Sequence, residues 1–251
     1  MSRKASKSGD RDFLSLLWRQ LQQRIDPLTS AIYAFPLLLV YQIGILSGRG
    51  QNGVDFVTRV LIKVGRGDVD NYLMLMGGML AVYAAVVVLL RKRGTFTPRA
   101  FLPMLAESTF YALVMGSLIM FVIGQFTRIV PGLVVGVQNP LDIVVISAGA
   151  GFHEELIFRL GMMGGLGWLL TGLTGDKRKW IAWTIAVVVS SVLFSLAHHI
   201  GPAGEDFTFM AFVYRTLAGA FFAVVYHLRG FAVAAWTHAL YDVYVLSLSA
   251  G

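Results

Sequence analysis

Seven stretches of this chain are apolar, and each is close to the ~20 residues that an α-helix needs to cross the hydrocarbon core of a bilayer. They fall at roughly 28–46, 72–90, 105–126, 141–160, 180–199, 209–226 and 231–249. Lipid offers no partner to an unpaired backbone group, so long continuous runs like these resolve as helices. The expected fold class is therefore all-α, a polytopic membrane bundle of about seven transmembrane helices. Only 14% of the residues are charged and 56% are hydrophobic, where a soluble domain would carry about a quarter charged. With 251 residues, residues 28–251 form a single transmembrane domain.

Residues 1–27 read as a polar tail followed by an interfacial helix. In DFLSLLWRQLQQRI, Leu14, Leu17, Leu21 and Ile25 fall on one helical stripe, with Arg19, Gln22 and Arg24 elsewhere, as in a helix lying on a membrane surface. VDFVTRVLIKV, after the first span, reads as a second surface or re-entrant helix. The fourth span has an open end, because glycine-rich GMMGGLGWLL continues it. Gly161, Gly164, Gly165 and Gly167 there suggest close helix packing.

The net charge of +7 would suggest nucleic acid in a soluble protein. Here Lys and Arg crowd into the tail, RKRGTFTPR and GDKRK, the connections that share one side if the spans alternate. That asymmetry places the N-terminus in the cytoplasm and makes anionic lipid of the bilayer, not nucleic acid, the partner of the basic residues. The chain has no cysteine, which excludes disulfides, thiolate zinc sites and a cysteine nucleophile.

A charge at mid-span costs about 2.5–3.5 kcal/mol on insertion scales, so intramembrane ionisable residues are functional candidates. The fourth span carries Glu154, Glu155 and Arg159, the fifth ends in His198 and His199, and the seventh carries His238 and Asp242. The first two spans carry none, so one polar site in the C-terminal half is expected. Glu155 and Arg159 are four apart and can pair on one helix face. Glu154 points about 100° away and has no partner in its own helix. His238 and Asp242 also share a face. A lone carboxylate with two histidines from other helices is an arrangement that could activate water.

Three motifs occur in order on three spans: EExxxR at Glu154–Arg159, FxxxH at Phe194–His198, and HxxxD at His238–Asp242. Together, over roughly residues 141–245, the chain resembles the CAAX protease and bacteriocin-processing (CPBP, or Abi) family of glutamate-dependent intramembrane proteases. The resemblance implies an endopeptidase acting on a membrane-associated peptide, either lipidated or a C-terminal or leader segment, in a bacterial cytoplasmic membrane. It implies that Glu154 is the general base and that His198 binds the water. His238 and Asp242 would stabilise the oxyanion, and Glu155 and Arg159 would orient the site, with no cofactor and no metal. Where well-characterised relatives carry asparagine this chain has Asp242, and an ionised aspartate donates no hydrogen bond. Its expected part is to orient and charge His238.

Two alternatives stay open at this level. Glu154, His198 and His238 could ligate zinc, or the same groups could serve a non-catalytic scaffold or a proton-coupled transporter. A zincin reading of His153 fails, because Ile157 stands where HExxH needs its second histidine. His199 is expected to be interfacial and His227 to lie in a loop. Arg215 is expected either to meet a substrate carboxylate or carbonyl, or to pair with Asp142 or Glu107. One spacing resists the shared site: along straight parallel helices His198 would lie ~27 Å, and His238 ~11 Å, from the same side.

Overall fold

The computed structural model describes residues 23–126, 139–201 and 204–249. The expected interfacial helix at the N-terminus lies largely outside the described residues. The helices are α1 (Pro27–Leu46), α2 (Phe56–Val64), α3 (Val69–Leu90), α4 (Phe101–Phe126), α5 (Pro140–Gly149), α6 (Gly164–Thr174), α7 (Lys179–Ala197), α8 (Phe209–Arg229) and α9 (Phe231–Ser249). A π-wound segment, Ala150–Met163, joins α5 to α6. Seven stretches are long and apolar enough to cross a membrane, and there is no strand among the described residues. The chain is thus a multi-pass helical membrane protein. VDFVTRVLIKV does form a helix, α2.

Local sequence explains where the helices begin. Asp26, Asp55, Asp68, Asn139 and Thr208 each cap a helix by accepting a backbone N–H from its first turn, and Pro27 and Pro140 follow two of those caps at the first helical position. Gly230 alone turns the chain between α8 and α9, with φ 97°, a left-handed conformation that a glycine adopts without strain.

α9 is the hub. It packs against α1, α4, α5, the π-wound segment and α8. Small residues permit these approaches. A Cβ at Gly151 would stand 2.4 Å from the Ala235 carbonyl oxygen and 2.7 Å from Ala239 Cβ. One at Gly149 would stand 2.4 Å from the Tyr41 ring. The glycine run singled out from the sequence mostly does something else. Gly167 meets Trp183 at 3.0 Å, whereas Gly165 has open space, because the tight contacts lie a few turns earlier, at the level of the charged residues.

The fourth span does continue through the glycine-rich stretch, running without a break from Pro140 to Thr174. Three intersegment ion pairs correct the pairing expected for Arg215. Asp142 pairs with Arg49 at 3.4 Å and Glu107 with Arg229 at 2.5 Å, while Arg215 pairs with Glu205 at 2.5 Å. Each acidic residue is met by the basic group that the topology brings nearest. His227 lies in the last turn of α8, its ring 5.3 Å from that of Trp183, and not in a loop.

Candidate active site

The π-wound segment carries the carboxylates. Its backbone bonds skip one residue further than in an α-helix, as in the Gly164 N–H donating to the Arg159 carbonyl. Each residue therefore turns the helix less than the usual 100°. Adjacent side chains diverge less than an α-helix would allow, and Glu154 and Glu155 both reach one imidazole. The His238 ring has Nδ1 2.8 Å from Glu155 Oε1 and Nε2 4.0 Å from Glu154 Oε2. π-Wound turns are rare and occur disproportionately at functional sites.

Glu155 and Arg159 pair as expected, Nε to Oε2 at 3.2 Å, with both side chains fully buried. The rest of the guanidinium lies over aromatic faces, 4.5 Å from the Phe194 centroid and 5.7 Å from that of Phe222. Such contacts favour a cation removed from water. Glu155 thereby holds Arg159 with one oxygen and His238 with the other. Asp242 Oδ2 is 3.7 Å from His238 Nε2, beyond hydrogen-bond reach. The carboxylate that directly orients His238 is thus Glu155, a contact hidden from the sequence because it crosses between spans.

His198, at the C-terminal end of α7, completes the group. Its Nδ1 is 2.8 Å from the Phe194 carbonyl oxygen. A carbonyl only accepts, so Nδ1 carries the hydrogen, and in the neutral ring Nε2 is an acceptor. That Nε2 lies 3.6 Å from Glu154 Oε2. Phe194 itself sits under the site, its ring 4.9 Å from that of His198 and 5.8 Å from that of His238. Both imidazoles approach one carboxylate oxygen, so the axial separation expected from parallel helices does not hold: α7 and α9 cannot run parallel at equal depth.

A cavity of about 150 Å³ opens beside these groups, lined by His198, His238, Asp242, Tyr214, Arg215 and Phe222 among others. Phe222 stacks on His238, with centroids 4.3 Å apart and planes at 18°. Glu154 is 1% exposed and lies behind the two imidazoles. Two contributors escape motif reading: Phe222, whose apolar character gives no signal, and Asn52, whose Nδ2 donates to Glu154 Oε1 at 2.8 Å. His153 turns away, Nδ1 facing the Gly149 carbonyl at 3.2 Å, and His199 faces the Glu205 carbonyl at 3.1 Å. Among the described residues, no three His, Asp or Glu side chains converge as a ligand set for one metal ion.

Fold and site together define a multi-pass helical membrane protein in which three spans bring carboxylates and imidazoles together beside one cavity. Residues 136–244, less than half of the chain but including all three motifs, match the family model described as type II CAAX prenyl endopeptidase Rce1-like. The match bears out the resemblance to the CPBP proteases and supports an intramembrane endopeptidase of the CAAX type in general. No curated protein and no solved structure matches.

Proposed function

We propose that the protein hydrolyses a peptide bond of a membrane-associated peptide, with Glu154 as general base. The carrying observation is the pairing of two acceptors across 3.6 Å, Glu154 Oε2 and His198 Nε2. A water molecule donating one O–H to each satisfies both and keeps a lone pair free for attack. Glu154 takes one proton as the oxygen adds to the scissile carbonyl carbon. The carbonyl π electrons move to its oxygen, and the doubly protonated His238 ring donates to that oxyanion from Nε2. Its Nδ1–H stays committed to Glu155. Collapse of the intermediate re-forms the carbonyl and breaks the C–N bond, and Glu154 returns its proton to the leaving nitrogen. A positioned donor at the oxyanion is worth about 10²–10³ in rate, and the general base about 10²–10⁴.

In this reading Glu155 and Arg159 are positioning residues. Asp242 sets the charge beside His238 without donating. The substrate is a lipidated or otherwise membrane-held C-terminal or leader segment, and the setting is a bacterial cytoplasmic membrane with the N-terminus inside. Arg215 lines the same cavity and is suited to a substrate carbonyl or carboxylate.

The test is a survey of new protein termini in membranes of cells expressing the wild type or Glu154→Gln at equal levels. Termini that appear only with the wild type are expected. Identical sets, with the phenotype lost in the variant, would assign Glu154 to binding or transport. Identical sets with nothing lost would remove the catalytic assignment. Dialysis of the purified protein against a chelator is expected to leave cleavage unchanged. Loss of cleavage that returns with zinc would favour a metal-dependent reaction through Glu154, His198 and His238.

A further inference from the structure

The motif-bearing half of the chain does not hold Glu154 by itself. We propose that Asn52, in the connection between α1 and α2, is a positioning residue that assigns separate duties to the two Glu154 oxygens. This rests on the catalytic reading of Glu154 given above. Asn52 lies outside the family-matched stretch of 136–244.

The geometry fixes the orientation of the amide. Asn52 Oδ1 accepts the Val54 backbone N–H at 3.2 Å, so Nδ2, the donor, is the atom that faces Glu154 Oε1 at 2.8 Å. A flipped amide would leave the Val54 N–H facing an NH₂ group and the carboxylate facing an oxygen. The backbone around Asn52 is tied down as well. The Asn52 N–H donates to the Tyr41 hydroxyl at 3.3 Å, and Arg59 from α2 donates to the Gly53 carbonyl. The side chain of Asp55 caps α2 through the Thr58 N–H at 2.9 Å. Asn52 is 6% exposed, so its donor faces little competition from water.

With Oε1 occupied, Oε2 is the oxygen that faces both imidazoles, at 3.6 Å from His198 and 4.0 Å from His238. Asn52 can donate to Oε1 whether or not Oε2 carries a proton. Oε1 therefore stays the carbonyl-like oxygen throughout, and the proton taken from water resides on Oε2. Without the amide, the two oxygens become equivalent by rotation of the carboxyl group, and the base is oriented towards water only part of the time. The N-terminal spans thus supply orientation, while the C-terminal spans supply the reacting groups.

Two measurements on the purified full chain test this. The first is infrared spectroscopy, with the Glu154 carboxyl and carboxylate bands isolated as the difference between wild type and Glu154→Gln. Those bands are expected to move in Asn52→Ala, and unmoved bands overturn the bond whatever the activity. The second is kinetics on a substrate found by the survey of termini. Asn52→Ala is expected to lower kcat by about 10–100-fold, the scale of a hydrogen bond to a charged group, with KM within about twofold. Asn52→Asp, nearly isosteric but setting a second carboxyl against Glu154, is expected to lose at least as much, with thermal unfolding of both variants followed so that kcat is expressed per folded molecule. A merely structural role would instead lower thermal stability and leave kcat per folded molecule unchanged, and that result overturns the proposal. If the bands move but kcat holds, the bond exists and the positioning role is wrong. If the wild type generates no termini, the proteolytic reading fails and the positioning role falls with it, while the infrared result still reports whether the bond is there.

Discussion

α3 and the π-wound segment are both membrane helices of this chain, and they solve opposite problems. Beyond its first turn, which carries Asp70 and Asn71, α3 is apolar, and Tyr72 is its buried residue. Among the described residues its substantial contacts are with α1 and α2. Lipid matches such a surface, so regular α-winding and a few tethers suffice, such as Tyr83 donating to the Ala31 carbonyl at 2.5 Å. The π-wound segment instead buries His153, Glu154, Glu155 and Arg159 at 1% exposure or less. Those groups cannot face lipid, so the segment is enclosed by α1, α7, α8 and α9. The contrast shows that in this protein surrounding helices are recruited by polarity. The segment with charges to satisfy has the neighbours, and the segment without them is left at the edge.

The largest effect that would sharpen this comparison is at the buried charges. Arg159→Met removes a cation but little volume and leaves Glu155 Oε2 without its partner inside the bundle, with His238 on Oε1 alone. Breaking a buried pair from one side costs about 3–5 kcal/mol, so the variant should unfold at markedly lower denaturant concentration in detergent. Adding Glu155→Gln should recover part of that loss, because the under-compensated charge goes with it while the amide oxygen can still accept from His238. No recovery would show that Glu155 is not the source of the cost.

A smaller effect is expected at the closest approach. Gly151→Ala drives a methyl group against the Ala235 backbone oxygen and Ala239, an overpacking that costs about 1–3 kcal/mol. The same denaturation assay reads it, and an unchanged midpoint would mean that α9 can move away freely. The smallest effect is on α3. Gly77 has nothing within 4 Å of an added Cβ, so Gly77→Ala is expected to stabilise by about 0.5–1 kcal/mol through helix propensity. A destabilisation there would break the comparison, since it would show that α3 packs against something.

Much of this was legible in the sequence. Seven apolar runs correspond to seven membrane-length helical stretches among the described residues, because length and hydropathy are properties of consecutive residues. Glu155 with Arg159 could be read from their spacing of four. The end of the fourth span was less legible, since the glycine-rich continuation leaves it open, and the structure carries it through to Thr174. The acidic partner of Arg215 was not legible, because Glu205 is a connection residue whose position depends on how the chain returns after α7.

By itself, then, the sequence determined that the chain is a helical membrane protein, since insertion cost acts along the chain, while the three motifs in order made Glu154, His198, His238 and Asp242 its catalytic candidates. Tertiary structure alone decided three further matters. Both glutamates meet His238, because the winding of the fourth span widens. His198 and His238 share Glu154, because α7 and α9 do not run parallel at equal depth. The partner of Glu154 Oε1 is an asparagine 102 residues away. A hydrogen bond acts over about 3 Å of space, and only the completed bundle brings such distant residues within that range.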